Sequence, residues 1–199
     1  MSHTRRPVLA GVAVAAAVAA AWLLFFALPR WYAQPTPAAP PVEKPTAPAE
    51  ARKIKATLYY VSTDGLRLVG IEQDVPYGEG AAEQARRIME AQIGEPPAPY
   101  VTAFPQGTAL RAVFVTGRGD AFVDFSREIS ANHMGGSLAE LFTVYTVVNA
   151  LTTNLPAITG VQILVDGQEV DTLAGHIDLR HPLRKSVQWV QAPGAAPGT

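Results

Sequence analysis

Val8 to Leu28 is a run of 21 residues without a single charge. A stretch that long and that apolar has few conformational options. As a helix rising ~1.5 Å per residue it covers ~31 Å, the hydrocarbon thickness of a bilayer. Inside a bilayer a lone segment satisfies its own backbone only as a helix. Arg5 and Arg6 precede the run, and Trp31 and Tyr32 follow it. Basic residues stay on the cytoplasmic side, and Trp and Tyr favour the interface. The segment therefore predicts one transmembrane anchor over 8–28, with residues 1–7 in the cytoplasm and the rest of the chain outside the cytoplasmic membrane. The rival is a cleaved signal peptide, which needs a shorter apolar region ending in small residues; Trp31 and Ala33 make a poor cleavage site.

The anchor leads into a linker over 29–53. Its stretch 34–51 carries six Pro and five Ala in 18 positions. Proline fixes φ and removes a donor, so this stretch predicts a solvated, extended spacer reaching up to ~55 Å. Residues 54–190 have the composition of a globular domain and are numerous enough to bury a core without staples. Residues 191–199 return to Ala, Pro and Gly and read as a disordered tail. The chain has no cysteine, which excludes disulfides, thiolate metal sites and a lipidated cysteine. Within 54–190 there are ten basic and fifteen acidic residues, net −5. An acidic domain repels phosphate backbones, so nucleic acid is not expected as a partner.

Periodicity divides the domain. Ile54–Val61 alternates as a strand, "STDG" turns it, and Leu66–Glu72 returns. Glu79–Ile93 places Ala82, Ala85, Met89 and Ile93 on one helical face. Leu110–Val115 and Ala121–Phe125 form a second hairpin around "TGRGD". The Arg118-Gly119-Asp120 triplet in it reads as turn chemistry rather than an adhesion signal. Ser137 and Glu140 match an S-x-x-E capping box opening a second helix, with a wide apolar arc from Leu138 to Thr152 that predicts burial on more than one side. Pro156 ends it. Val161–Val165, the Asp166-Gly167 turn and Gln168–Leu173 close the domain as a hairpin. The order is ββα-ββα-ββ, predicting an α+β fold: a mostly antiparallel sheet with two helices packed on one face.

Four blocks in this order resemble the GerMN domain of sporulation and spore germination proteins: "TLYYVSTDGLRLVG", "ARRIMEAQIGEPP", "FPQGTALRAVFVTGRGDAFVDFS" and "VYTVVNALTTNLPAITGVQILVDGQEV". Together they span about 54–184. The resemblance implies a small α+β module on an envelope protein, with no established catalytic constellation and no cofactor. It also implies a role in assembling envelope complexes or in cell-wall events. Only one copy of the domain is present.

The candidate sites are few. Pro105 and Gly107 turn the chain into the third strand, and Asp166 and Gly167 form the last hairpin turn. Asp124 is expected to face outward, capping the turn that begins at Ser126 or binding a ligand. Asn149, on the apolar arc, is expected to clamp neighbouring backbone, since a buried amide without partners is costly. His176, Asp178 and His181 cluster in "GHIDLRH" and, with Asp124 and His133, could form a histidine–carboxylate metal site. Their spacing matches no known ligand motif, and no H-E-x-x-H occurs. Ser126, Ser130 and Ser137 lack a nucleophile-elbow context. Two readings follow. The first is a non-catalytic module docking on an envelope protein or peptidoglycan, by surface complementarity or edge-strand pairing, with self-association left open. The second is a metal-assisted hydrolase acting on cell-wall material.

Overall fold

The computed structural model describes residues 18, 20–27 and 52–191. The chain divides into two compact units, 1–47 and 48–199. In the first, residues 20–22 are α-helical and Leu23–Ala27 continue as a π-helical turn, with Trp22, Leu23, Leu24 and Phe25 exposed. No helix among the described residues is long and apolar enough to cross a membrane. The transmembrane helix expected over 8–28 falls mostly outside the described residues, as do most of the linker and the tail.

The second unit is α+β. Its elements are β1 (Lys53–Val61), β2 (Leu68–Pro76), α1 (Gly80–Ile93), β3 (Leu110–Val115), β4 (Asp120–Phe125), a short α2 (Glu128–Ala131), α3 (Ser137–Asn154), β5 (Gly160–Val165) and β6 (Gln168–Glu169). They form two sheets, not one: the ribbon β1-β2 and a four-stranded sheet ordered β3-β4-β5-β6. β4 and β5 run parallel, because α3 carries the chain back across the sheet between them. The other pairs are antiparallel, and Val113, Val123 and Ile163 stand in one row.

The single sheet fails for a physical reason that lies in α1 and α3. The outer edge of β1 is occupied by side-chain amides instead of a strand. Asn154 accepts from Thr57 N at 2.8 Å and donates to Thr57 O at 2.7 Å. Gln92 accepts from Tyr59 N and donates to Tyr59 O, both at 2.8 Å. A primary amide presents one acceptor and one donor on one side, the same pattern as a peptide group. At the end of the strand, Val61 exchanges backbone bonds with Val101 at 2.9 and 3.2 Å. Three alternate residues of the edge are thus satisfied, and the edge-strand pairing expected as a docking mode finds no purchase there.

α3 is the core helix. Phe142, Val144, Val147, Val148, Ala150 and Leu151 are buried at successive positions around its circumference. That is how a helix wrapped by neighbours on more than one side reads. Both α1 and α3 touch both sheets. Leu58, Tyr60, Ile88, Met89, Val123, Phe125 and Ile163 complete the core. The open side of Gly70 lies under Tyr59, whose hydroxyl reaches Thr153 Oγ1 at 2.9 Å.

The β3–β4 turn is tightly built. Gly119 is buried at φ +89°, and a Cβ there would lie 2.7 Å from Ala157 O. Its own carbonyl accepts from Thr159 N at 2.8 Å. Gly119→Ala should therefore cost at least about 2 kcal/mol, from left-handed backbone plus collision with a carbonyl that cannot yield. The midpoint of urea unfolding checks this.

Candidate functional site

A concavity opens at the end of the domain where α3 begins. The segment 101–106 forms its floor, and three tethers hold that segment in place. Val101 is bridged to Val61, Thr143 Oγ1 donates to Ala103 O at 2.7 Å, and Asn132 Nδ2 donates to Gln106 O at 2.9 Å. Pro105 and Gly107 shape the turn: Pro105 O accepts from Thr108 N at 3.2 Å and Thr108 Oγ1 at 2.8 Å, and Gly107 sits at φ +85°. The first turns of α3 and the loop at 132–134 form the opposite wall. The cavity measures about 570 Å³ and is lined mainly by apolar atoms, among them Val61, Phe104, Leu138 and Phe142. Met134 is 90% exposed on its rim, with exposed Leu138 beside it and exposed Leu66 and Val101 on neighbouring segments. A volume of this size and an apolar rim mark binding surfaces.

The polar groups in the wall are already engaged. His133 Nδ1 accepts from Gly135 N at 3.0 Å, which leaves the proton on Nε2 to be donated to Thr143 Oγ1 at 3.1 Å. Burial pushes the His133 imidazole below its ordinary pKa, with His176 adding to the effect and Glu140 opposing it. At neutral pH the groove thus carries no charge of its own.

Behind the groove lies the most heavily bonded side chain of the domain. Glu140 is fully buried. Its Oε1 accepts from Leu173 N at 2.8 Å and Ala174 N at 2.9 Å. Its Oε2 accepts from His176 N at 2.8 Å and His176 Nδ1 at 3.1 Å. Burial alone would raise this carboxyl, but the amides of Ala174, His176, Leu173 and Ile177 outweigh it and hold the group below the usual glutamate range. The capping box expected from Ser137 and Glu140 does not form. Gly136, at φ +87°, is the N-cap residue, no side chain caps the helix, and the carboxylate turns inward to organise the loop after β6.

The other candidates are dispersed. Asp124 does not face outward or cap the turn at Ser126. It is 6% exposed, its Oδ1 accepts from Gly167 N at 2.7 Å, and its Oδ2 pairs with Arg111 Nε at 3.0 Å. The parallel β4–β5 pairing, invisible to strand alternation, brings the Asp166-Gly167 turn beside it. That turn has φ +50° and +77°, and Arg111 reaches Asp166 at 3.3 Å. Asn149 exchanges two bonds with the Ser186 backbone, at 2.8 and 3.1 Å. Asp178 is held by Arg180, at 2.9 and 2.7 Å, and the guanidinium drives its carboxyl far below the usual range. His176 is committed to Glu140, and His181 is exposed. Among the described residues no group of three His, Cys, Asp or Glu is placed to hold a metal ion. Ser130 Oγ donates to Leu173 O at 2.6 Å, and Ser126 Oγ accepts from Ala109 N.

Sequence reading missed the groove. Its signal was a lone Met in "NHMGG", where a loop offers no core for it, and Leu138, which periodicity assigned to the buried arc.

Against known proteins, residues 57–171 match the family model described as Germane, sporulation and spore germination. No curated protein matches the chain. Among solved structures the chain is similar to the tandem GerMN domains of the sporulation protein GerM from Bacillus subtilis. That likeness has a TM-score of 0.51 and 18% identity, over 73% of this chain and 51% of that one. The chain thus spans about half of the tandem structure, and the likeness is one of fold. It is also similar to a candidate lipoprotein from Clostridium perfringens, at 23% identity and TM-score 0.47, over 67% and 88% of the two chains. A third likeness is the first GerMN domain of GerM alone, at 19% identity and TM-score 0.46, over 66% and 95%.

Proposed function

We propose, since this chain belongs to the Germane family of sporulation and spore germination, that its domain is a non-catalytic docking module of the cell envelope. It binds an envelope protein that inserts apolar side chains into the groove beside Met134. The observation that carries this reading is the groove itself: apolar, rimmed by exposed hydrophobic side chains, and with its histidine neutral and hydrogen-bonded into the wall. The lining offers no carboxylate, lysine or arginine to grip a charged wall peptide, and little polar surface for sugar hydroxyls. That favours a protein over peptidoglycan as the partner. The hydrolase alternative needs a reactive cluster, and Asp178 and His176 are both spent on structural partners.

The module is tethered through Val8–Leu28, with the domain outside the cytoplasmic membrane. Supporting this are the length and neutrality of that run and the exposed Trp22, Leu23, Leu24 and Phe25, apolar surface that suits lipid better than water.

Photo-crosslinking from position 134 in intact envelopes tests the docking reading. A discrete protein adduct is expected from 134, absent when the probe stands at Phe114, and lost on Leu138→Glu. Met134→Glu and Leu138→Glu should change stability by no more than about 0.5 kcal/mol, as exposed positions do. Equal adducts from 114 and 134, or adducts with wall fragments in place of protein, would remove the groove as a protein-docking site.

A further inference from the structure

The charges of the domain are segregated in a way that net charge conceals. The groove lies where β1 ends, at Val61, and where α3 begins. The opposite end is set by three contacts. Asn154, the last residue of α3, holds Thr57, so Lys55 and Lys53 project past the end of that helix. An 18-residue helix is roughly 27 Å long, which separates this end from the groove. Gly119 O takes the amides of Thr159 and Gly160, just beyond α3, and brings Arg118 there. Val161 pairs with Leu183, which places Arg184 and Lys185 beside the same strand start.

Arg52, Lys53, Arg118, Arg184 and Lys185 are all exposed. None of them has a carboxylate within ion-pair distance among the described residues. Arg52 lies over the Tyr77 ring at 3.8 Å. The acidic groups nearby are largely occupied. Asp74 is taken by Lys55 at 2.8 Å, Glu83 is shared by Arg86 and Arg87, and Asp120 is half-buried against Gly160. Glu72 and Glu79 stand exposed there without an ion-pair partner, two carboxylates against five unpaired basic side chains. Five exposed basic residues without an ion-pair partner thus gather at one end of a domain of net −5, and Arg67 stands unpaired at the other. This is also the end at which the chain enters from residues 29–51.

We propose that this basic pole rests on an anionic lipid surface, the outer face of the membrane that holds Val8–Leu28, and so points the groove away from it. The inference rests on the tether reading. Anionic headgroups attract each nearby Lys or Arg with the equivalent of about fivefold in partitioning, falling off within a Debye length. Along the chain this end, at Arg52, is nearer to the anchor than the groove is.

The chain has no cysteine, so a single label reports cleanly. The full chain carrying Gly117→Cys, at the pole, or Met134→Cys, at the groove, is reconstituted into phosphatidylcholine bilayers with or without phosphatidylglycerol. Energy transfer to a headgroup acceptor is then read. Transfer from 117 should exceed that from 134 only with the anionic lipid. High salt should abolish the difference, and so should the triple variant Arg118→Glu, Arg184→Glu, Lys185→Glu. A difference that persists in neutral lipid, or stronger transfer from 134, overturns the proposal. Alkaline carbonate extraction, done first, isolates the tether. If the chain extracts, the tether reading fails, and sedimentation with added vesicles decides the pole on its own. Binding to anionic vesicles, weakened about fivefold per basic residue lost, supports the pole, and absence of binding ends it.

Discussion

Glu140→Ala should destabilise the domain by about 3–5 kcal/mol, the largest loss expected from any single polar side chain here. The reason is the set of donors left behind. Leu173, Ala174 and His176 aim their amides at the carboxylate, and Leu173 is itself buried. Water cannot replace the acceptor without opening the loop. Amide exchange should therefore rise first at residues 173–176, ahead of global unfolding. Glu140→Gln is nearly isosteric, but it replaces one acceptor oxygen with a donor that faces amide hydrogens, so it should recover little of the loss. His176→Ala should cost much less, since that side chain is partly exposed and supplies only one of the four bonds. If alanine at 140 leaves the melting temperature within a few degrees, the latch role assigned to Glu140 is wrong.

The same carboxylate sets a pH dependence. Its folded pKa lies below the ordinary glutamate value of about 4.3, so the folded state binds fewer protons than the unfolded state in that range. Its contribution is complete above that value and is lost as the pH falls through the depressed folded pKa. In urea titrations, the acid limb of the stability curve should flatten in Glu140→Gln.

Gln92→Met should cost about 2–4 kcal/mol although it preserves length and adds apolar volume. Gln92 is 1% exposed, and both ends of its amide are bound to the Tyr59 backbone. Methionine leaves a buried N–H and a buried carbonyl of β1 without partners. Asn154→Leu repeats the experiment at Thr57, where the site is only partly buried and the loss should be smaller. Thermal unfolding measures both. A neutral Gln92→Met would show that the amide ladder along β1 adds nothing to stability.

These two side chains also show why the fold was only partly legible. The first five strands, both long helices and their order came from alternation and from apolar spacing, because those patterns report burial of one residue against its neighbours along the chain. The last strand, expected over Gln168–Leu173, stops at Glu169. Sheet composition depends on which edge meets which. Nothing in the sequence of β1 distinguishes an edge that awaits a strand from one filled by Gln92 and Asn154, residues 33 and 97 positions away. Asp124 failed in the same way. Alternation assigned it outward, while parallel pairing with β5 brought the Asp166-Gly167 turn over it. Ser137 and Glu140 had the spacing of a capping box, and a loop more than thirty residues downstream took the carboxylate.

What the chain's one-dimensional text determined was the run Val8–Leu28, the proline-rich stretch after it, the family of the domain and the ββα-ββα-ββ succession. Each of these is set by forces acting between near neighbours: apolar length, fixed φ, periodic burial and local turn geometry. Two sheets instead of one, a buried glutamate in place of a cap, an apolar groove at one end and unpaired basic residues at the other were decided only by tertiary structure. All four depend on side chains from distant segments converging on one place, and sequence spacing does not record a distance through space.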